Sequence, residues 1–219
     1  MVPGFGSVAT TRMKPCRIMK NLLALLGCVG LSFSVHGQGQ INFVNTASTL
    51  ISTNSSLGGP ATGNISGPVG SYYFALFSAP SGTVDRAIFV FTGDYATNTI
   101  TAGRLNGGQA SIPGAPPDTI VSLLVRGWSA NIGADYDSVL RYLANPTFDG
   151  WYGESQIATL QLGRGDPFPN PSLFGTFQSG GQNQIPGFTL EMHTVPEPST
   201  LTLAGVGLAA MSLLRRRSH

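Results

Sequence analysis

Short runs of apolar and β-branched residues, separated by Gly, Pro, Asn and Ser, dominate the chain between residues 38 and 194. Several runs alternate apolar and polar positions, which is the pattern of a strand with one buried face. This pattern predicts strands at Ile41–Val44, Tyr72–Ser78, Ala87–Thr92, Gln156–Leu162 and Phe188–Met192. The run Ile120–Arg126 is apolar on both faces, so we expect a central strand that is covered on each side.

Turn-forming residues divide these runs. The pair Asn106-Gly107 is a tight hairpin signal, and it predicts that Gln109–Ile112 returns along Ile100–Leu105. The stretch that follows the first strand, up to Gly70, is rich in Ser, Thr, Asn and Gly, which is typical of loops. We therefore expect residues 38–70 to hold an edge strand and a flexible loop, which serves either as a long connection or as a ligand loop.

One stretch has helical rather than strand spacing. Its apolar residues are Val139, Leu140, Tyr142 and Leu143. We expect Asp137 to cap this helix and Asn145-Pro146 to end it. Short strands, Gly/Pro turns and one short helix together predict an all-β domain at 71–194. The expected architecture is an antiparallel two-sheet sandwich, Ig-like or jelly-roll-like, flanked by an N-terminal signal helix and a C-terminal transmembrane helix.

The start of the chain has the pattern of a secretory signal peptide. The basic residues are Lys14, Arg17 and Lys20. They precede the apolar run Leu22–Phe33, and Val35-His36-Gly37 resembles a small-residue cleavage site. We therefore predict that residues 1–37 are a signal peptide, cut before Gln38.

Two alternatives remain within this segment. Residues 1–12 differ from a typical basic signal region, so Met13 or Met19 is an alternative start. The tetrapeptide Leu25-Leu26-Gly27-Cys28 resembles a lipobox, which would place a lipid on Cys28.

The end of the chain has the pattern of a short membrane span. As a helix, the apolar run Leu201–Leu214 reaches about 21 Å, against a hydrocarbon core of about 30 Å. Arginine side chains that extend to the interface and local bilayer thinning make up the difference. Arg215, Arg216 and Arg217 should stay cytoplasmic by the positive-inside rule, which places the preceding chain outside. The pattern therefore predicts a transmembrane helix.

A rigid peptide precedes this run, formed by Val195, Pro196, Glu197 and Pro198. Its prolines fix φ and remove backbone donors, so we expect an extended, exposed segment that an enzyme can grip. Residues 195–219 resemble the PEP-CTERM sorting signal of Gram-negative bacteria. The resemblance implies that an exosortase, a membrane-embedded cysteine transpeptidase-like enzyme, acts at or next to Pro-Glu-Pro and that the span is removed. The alternative is a plain C-terminal anchor.

Composition changes once both ends are set aside. The whole chain carries a formal charge of +2, but the body from Gln38 to Thr194 has five Arg and nine acidic residues, a net charge of −4. No basic patch remains, which argues against a nucleic-acid partner. Both cysteines, Cys16 and Cys28, precede the body. The body therefore has no thiol and no disulfide.

The body also lacks most reagents of enzymes. It contains no lysine, and its only histidine is His193. This composition excludes a Cys-His pair and a Schiff-base lysine and leaves no cluster for zinc. We therefore expect a non-catalytic protein with no cofactor.

One group of residues would suit a carbohydrate. Asp149 and Glu154 flank Trp151 and Tyr152, and acids beside aromatic rings are found in glycosidases and sugar-binding clefts. Stacking of Trp128, Trp151 or Tyr152 on a sugar ring would make the body a carbohydrate-binding module or a weak glycoside-acting enzyme. The competing explanation is that the tryptophans belong to the core and Asp149-Gly150 makes a turn.

Calcium is a second option for the acidic residues. Asp135 and Asp137, with Asp149 or Asp166, would chelate Ca²⁺ if their loops converge, although helix capping also explains Asp137.

The sequence as a whole favours an exported, non-catalytic protein. We expect an inner-membrane intermediate and then a position at the cell surface or in the extracellular matrix, with a link to exopolysaccharide or biofilm. The expected partners are an exosortase-like enzyme, the membrane before processing, and an extracellular polysaccharide.

Overall fold

A computed structural model of the protein describes residues 37–193. The predicted signal helix, Cys28, the sorting peptide and the apolar tail run lie outside these residues. The strands are β1 (Gly39–Val44), β2 (Ile51–Asn54), β3 (Ala61–Asn64), β4 (Tyr72–Pro80), β5 (Val90–Asn98), β6 (Leu105–Ile112), β7 (Ile120–Ser129), β8 (Gly150–Glu154), β9 (Ala158–Gln161), β10 (Gln178–Ser179), β11 (Gln182–Asn183) and β12 (Phe188–His193). Helix α1 covers Tyr136–Ala144, and a 3₁₀ turn covers Arg86–Ile88.

The twelve strands form one curled, open sheet. Its main order is β1-β6-β5-β4-β7-β8-β12-β2-β3, and β9 lies beside β7 with the short β10–β11 hairpin at its other edge. Neighbouring strands are antiparallel except β12 and β2, which are parallel. The prediction of a mainly β body with one short helix is confirmed. A two-sheet sandwich is not confirmed, because the strands belong to one continuous sheet.

No helix within residues 37–193 is long and apolar enough to span a bilayer. The predicted transmembrane helix at Leu201–Leu214 falls outside that range.

The centre of the sheet is the pair β4–β7, which runs from Tyr72 opposite Ser129 to Pro80 opposite Val121. Successive side chains of a strand point to opposite faces, so each of these strands supplies two cores. In β7, Val121, Leu123 and Val125 belong to the first core, and Leu124 and Trp128 belong to the second. The prediction that Ile120–Arg126 is a central strand covered on both sides is confirmed.

The first core fills the concave face of the curl. Its members come from strands all around the sheet and from the loops between them. The largest fully buried ones are Phe43, Phe74, Phe174, Ile41, Ile51, Ile65, Leu76, Leu105, Ile112 and Leu123. Alternation in β1 buries Ile41 and Phe43 completely while the residues between them stay half-buried. The one-sided pattern read from the sequence of β1 is thereby confirmed.

The second core lies on the convex face, under α1. Val139 and Tyr142 of the helix pack with Phe77, Leu124 and Trp128 of the sheet. The helix therefore closes the face that would otherwise leave the centre of the sheet in water.

The helix begins two residues earlier than the sequence suggested. Its N-cap is Asp135, which is in an extended conformation and whose side chain accepts a hydrogen bond from the backbone N of Ser138 at 2.8 Å. Tyr136 is already helical, so the predicted cap Asp137 lies in the first turn, and that prediction is wrong. Asn145 ends the helix as expected.

The predicted hairpin at Asn106-Gly107 is wrong. Strand β6 continues through these residues. The turn that joins β5 to β6 lies at 99–104, where the N of Thr99 donates to the O of Arg104 at 2.9 Å. Gly107 and Gly108 instead form a bulge opposite Phe43. A Cβ at Gly107 would lie 2.7 Å from the Phe43 ring, so the glycine is required by packing rather than by a turn.

Two further ranges differ from the predictions. The stretch before Gly70, predicted as loop, contains β2 and β3, and its Ile51 and Ile65 are buried in the concave core. The strand expected at Ala87–Thr92 begins only at Val90, because the 3₁₀ turn occupies the preceding residues. That strand continues through Gly93 to Asn98, beyond the predicted end at Thr92. Strands β2 and β3 are mostly polar and are held by backbone pairing, so the sequence shows no hydrophobic alternation there.

We predict that Leu123→Ala, at the centre of β7, lowers the free energy of unfolding by about 2–5 kcal/mol, because it leaves a cavity in the concave core. Urea unfolding of the purified chain measures this change. Leu57→Ala, at an exposed position, is the matched control and should change stability by less than about 0.5 kcal/mol. Equal effects of the two substitutions would contradict the assignment of Leu123 to the core.

Candidate functional site

Glu154, the last residue of β8, is the centre of a charged cluster. Its Oε1 lies 2.9 Å from the Nε of Arg126, the residue opposite it on β7, and its Oε2 lies 2.9 Å from Nη1 of Arg86. The hydroxyl of Tyr152 donates to Oε1 at 2.7 Å. We call these residues, with Tyr136, the Glu154 cluster.

Arg126 connects this cluster to the rest of the convex face. Its side chain is 11% exposed, and its guanidinium donates to the Tyr136 hydroxyl and, at 3.0 Å, to the carbonyl of Arg86. The guanidinium carbon also lies 4.4 Å from the centre of the Phe77 ring. A single side chain thus links β7, α1 and the 3₁₀ turn through charge, hydrogen bonds and a cation–π contact.

The protonation of the cluster follows from these contacts. Burial alone would raise the pKa of Glu154, but the Tyr152 hydrogen bond and the charges of Arg126 and Arg86 outweigh it, so the pKa lies below its usual value. Burial and then the Glu154 carboxylate raise the pKa of Tyr152 far above its ordinary range. Near neutral pH the carboxylate is charged and the phenol is protonated. A carboxylate held in this way is unsuited to act as a general acid.

Trp128, one of the expected sugar contacts, is completely buried, with 0% exposure. Its indole Nε1 donates to the carbonyl of Gly133 at 2.8 Å, and its ring packs against those of Tyr73, Tyr95 and Tyr136. The side chain offers no free face on which a sugar ring could stack.

Trp151 and Tyr152 point to opposite faces of the sheet, as neighbours on a strand do. Trp151 packs against the concave core and donates to the carbonyl of Asn54 at 3.0 Å, while Tyr152 packs against the convex core. Asp149 precedes β8, and Glu154 ends it. The structure therefore does not bring the aromatic rings and the two acids onto one surface.

The acidic residues considered for calcium do not converge either. The carboxylate of Asp135 accepts hydrogen bonds from the backbone N and from the hydroxyl of Ser138. The backbone hydrogen bond is the main cause of the lowered pKa of Asp135. Between residues 37 and 193 no group of three or more His, Cys, Asp or Glu side chains could hold a metal ion.

Sequence reasoning missed an open cleft between the β6–β7 connection and the loop after β9. The cleft has a volume of about 600 Å³ and is lined by Asp118, Gln161, Leu162, Gly163, Arg164, Phe168, Pro169, Asn170, Pro171 and Gln182. We call it the loop cleft. Arg164 donates to Oδ2 of Asp118 from Nη2 at 2.7 Å and from Nε at 2.9 Å. These partners are 46 residues apart, so no local sequence motif indicates that they pair.

A second depression is apolar. It has a volume of about 490 Å³ and lies where β5 and β6 diverge, between Val90 and Phe91 on one side and Ile112 and Pro113 on the other. The two strands pair only at Thr97–Asn106 and Asn98–Leu105, which leaves this gap in the sheet.

Comparison with known proteins identifies the tail alone. Residues 194–217 match the family model of the PEP-CTERM protein-sorting motif, and no curated protein or solved structure matches the chain. The match confirms the resemblance read from the sequence and spans both Val195–Pro198 and Arg215–Arg217, while the family of the body is not identified. The motif marks a protein that is exported, processed by an exosortase in the membrane, and directed to the cell surface or the extracellular space.

We predict that Glu154→Gln lowers the free energy of unfolding by about 1–3 kcal/mol at pH 7, because two charge-assisted hydrogen bonds weaken. The folded-state pKa of Glu154 is depressed, so its contribution is complete above the ordinary value of 4.5 and is lost as the pH falls through the lower folded value. The difference between wild type and variant should therefore shrink in acid.

Urea unfolding at a series of pH values tests this expectation. Glu191→Gln is the matched control, since Glu191 lies on β12 and forms no ion pair with the residues at 37–193. A Glu154→Gln deficit that stays constant down to pH 3 would show that charge is not the source of the effect.

Proposed function

We propose that the protein is a non-catalytic component of the cell surface or extracellular matrix, released from its tail by an exosortase and associated with exopolysaccharide. The observation that carries this proposal is the match to the sorting motif at 194–217, directly behind the last strand of the body.

The position of the motif suits a removable tail. Strand β12 ends at His193, so all twelve strands at 37–193 precede the first proline of the motif. The carbonyl of His193 accepts a hydrogen bond from the Tyr142 hydroxyl at 3.0 Å, which ties the end of β12 to α1. Cutting at or next to Pro-Glu-Pro would therefore leave the twelve strands and α1, as described at 37–193, in the released body.

The proposed route uses both ends of the chain. A signal peptide at 1–37 directs export and is cut before Gln38. The apolar run Leu201–Leu214 holds an inner-membrane intermediate, with Arg215–Arg217 on the cytoplasmic side, until the enzyme acts.

The non-catalytic role is supported by the state of the reactive groups. Glu154, the strongest candidate for acid catalysis, is held by two arginines and a tyrosine. The body has neither cysteine nor lysine, so its fold depends on packing and is indifferent to the redox state of its surroundings. No contact favours the alternative of a glycoside-acting enzyme at Asp149–Glu154.

We predict that the double substitution Glu197→Gln and Pro198→Ala blocks removal of the tail, because it alters the charge and the rigid backbone at the processing site. The variant should keep its C-terminal residues and stay in the membrane fraction of an exosortase-containing Gram-negative host. Mass spectrometry of the body's C-terminal peptide and membrane fractionation provide the measurements.

The matched control changes the same residue types in the body, with Glu191→Gln and Pro186→Ala. It should be processed like wild type, and neither protein should be processed in a host that lacks the exosortase. Normal release of the Glu197→Gln, Pro198→Ala chain would overturn the proposal.

A further inference from the structure

The geometry points to a binding site for a neutral polysaccharide in the loop cleft, with Asp118, Arg164 and Phe168 as its contact residues. This inference rests on the proposed function, because it supplies a contact point for the expected polysaccharide partner. It places that contact on residues other than Trp151 and Tyr152, which the sequence had suggested.

The shape of the cleft suits a polymer. Its volume of about 600 Å³ lies within the range of about 300–1,000 Å³ that is usual for ligand sites. It is open to solvent and bounded by loops, so a long chain can cross it without having to enter an enclosed cavity. The cleft is formed by residues that backbone bonds hold in place, since the N of Asp118 donates to the O of Leu162 at 3.0 Å.

Phe168 supplies the apolar surface of the site. Its side chain is 56% exposed although it is large and apolar, and the N of Phe168 donates to the O of Gly165 at 2.8 Å, which fixes the loop beneath it. The Arg164 guanidinium carbon lies 5.9 Å from the ring centre. An exposed aromatic ring beside a planar donor group matches a sugar ring, which has apolar C–H faces and a rim of hydroxyls.

Asp118 and Arg164 supply the polar surface. Arg164 directs both of its bonds to Oδ2, which leaves Oδ1 of Asp118 as an acceptor beside the remaining guanidinium donors. Both side chains are at least half exposed. An acceptor next to a donor can bind two neighbouring hydroxyls of a sugar, one as donor and the other as acceptor.

The backbone at Asp118 is an independent sign of a specialised position. Its φ is 63°, and it is the only residue other than glycine with a positive φ within 37–193. Asp tolerates this conformation better than most residues, but it remains uncommon and concentrates at functional sites.

Amide side chains extend the polar surface across the cleft. Gln182 accepts a hydrogen bond from the N of Gln161 through Oε1 at 2.9 Å, so its amide nitrogen remains a donor. Asn170 is buried and positions the loop, accepting from the N of Gly165 at 3.0 Å and donating to Gln40 at 3.1 Å.

Charge selects a neutral polymer over an acidic one. The charge of Arg164 is compensated by Asp118, and Asp166 lies in the same loop. The body as a whole carries −4, so a polyuronate would be repelled. A neutral, hydroxyl-rich chain would not be repelled in this way.

Affinity electrophoresis of the full-length chain, in a detergent without a sugar headgroup, tests the site. The polymers are hydroxyethylcellulose and dextran, which are neutral, and alginate, which is acidic. We expect retardation by at least one neutral polymer and at least a tenfold loss of affinity in Phe168→Ala. Asp118→Asn keeps the side-chain shape and tolerates the same φ, so it removes the charge without disturbing the fold and should weaken binding several-fold.

Phe177→Ala is the matched control, because Phe177 is 52% exposed on a different loop and should leave retardation unchanged. Melting curves verify that each variant is folded. Retardation that survives both Phe168→Ala and Asp118→Asn contradicts this site and leaves the polysaccharide partner standing. Retardation by alginate alone contradicts the neutral class, and the absence of retardation by all three polymers contradicts the site and the polysaccharide partner together. Tail processing, measured separately, is unaffected by any of these outcomes.

Discussion

The pairing of β4 with β7 is the contact on which the rest of the body depends. These strands are apolar on both faces, so burying them requires a cover on each side. The curl of the sheet covers the concave side, and α1 covers the convex side. The Glu154 cluster then connects the helix, β7, β8 and the 3₁₀ turn at the margin of the convex core. Without cysteines in the body, this packing and its ion pairs are what hold the folded state together.

Local patterns in the sequence were enough to predict the elements with strong hydrophobic periodicity. The run Ile120–Arg126 predicted a central strand, and the spacing around Val139 predicted the helix. The curl could not be predicted, because it depends on which distant strands pair. Gly107 shows the limit of local rules, since Asn-Gly normally indicates a turn but here the glycine makes room for the ring of Phe43, far away in the sequence.

The same distinction separates the functional residues. The sorting signal is one continuous segment, so its residues can be recognised from the sequence alone. The family match at 194–217 agrees with that reading. Trp128 shows the opposite case: the sequence left a sugar contact and a core position open, and the structure buries this side chain in the core. The loop cleft had no signal at all, because Asp118 and Arg164 meet only after β7 and β9 have paired.

The place of β12 in the sheet has a consequence for the timing of folding. This strand is the last one within residues 37–193, yet it lies between β8 and β2 and connects β2 and β3 to the rest of the sheet. If the chain crosses the membrane N-terminus first, the sheet stays unfinished until residue 193 has emerged. Strands β2 and β3, whose ladder to the rest of the sheet runs through β12, would then be the last to join it, after the other strands have paired.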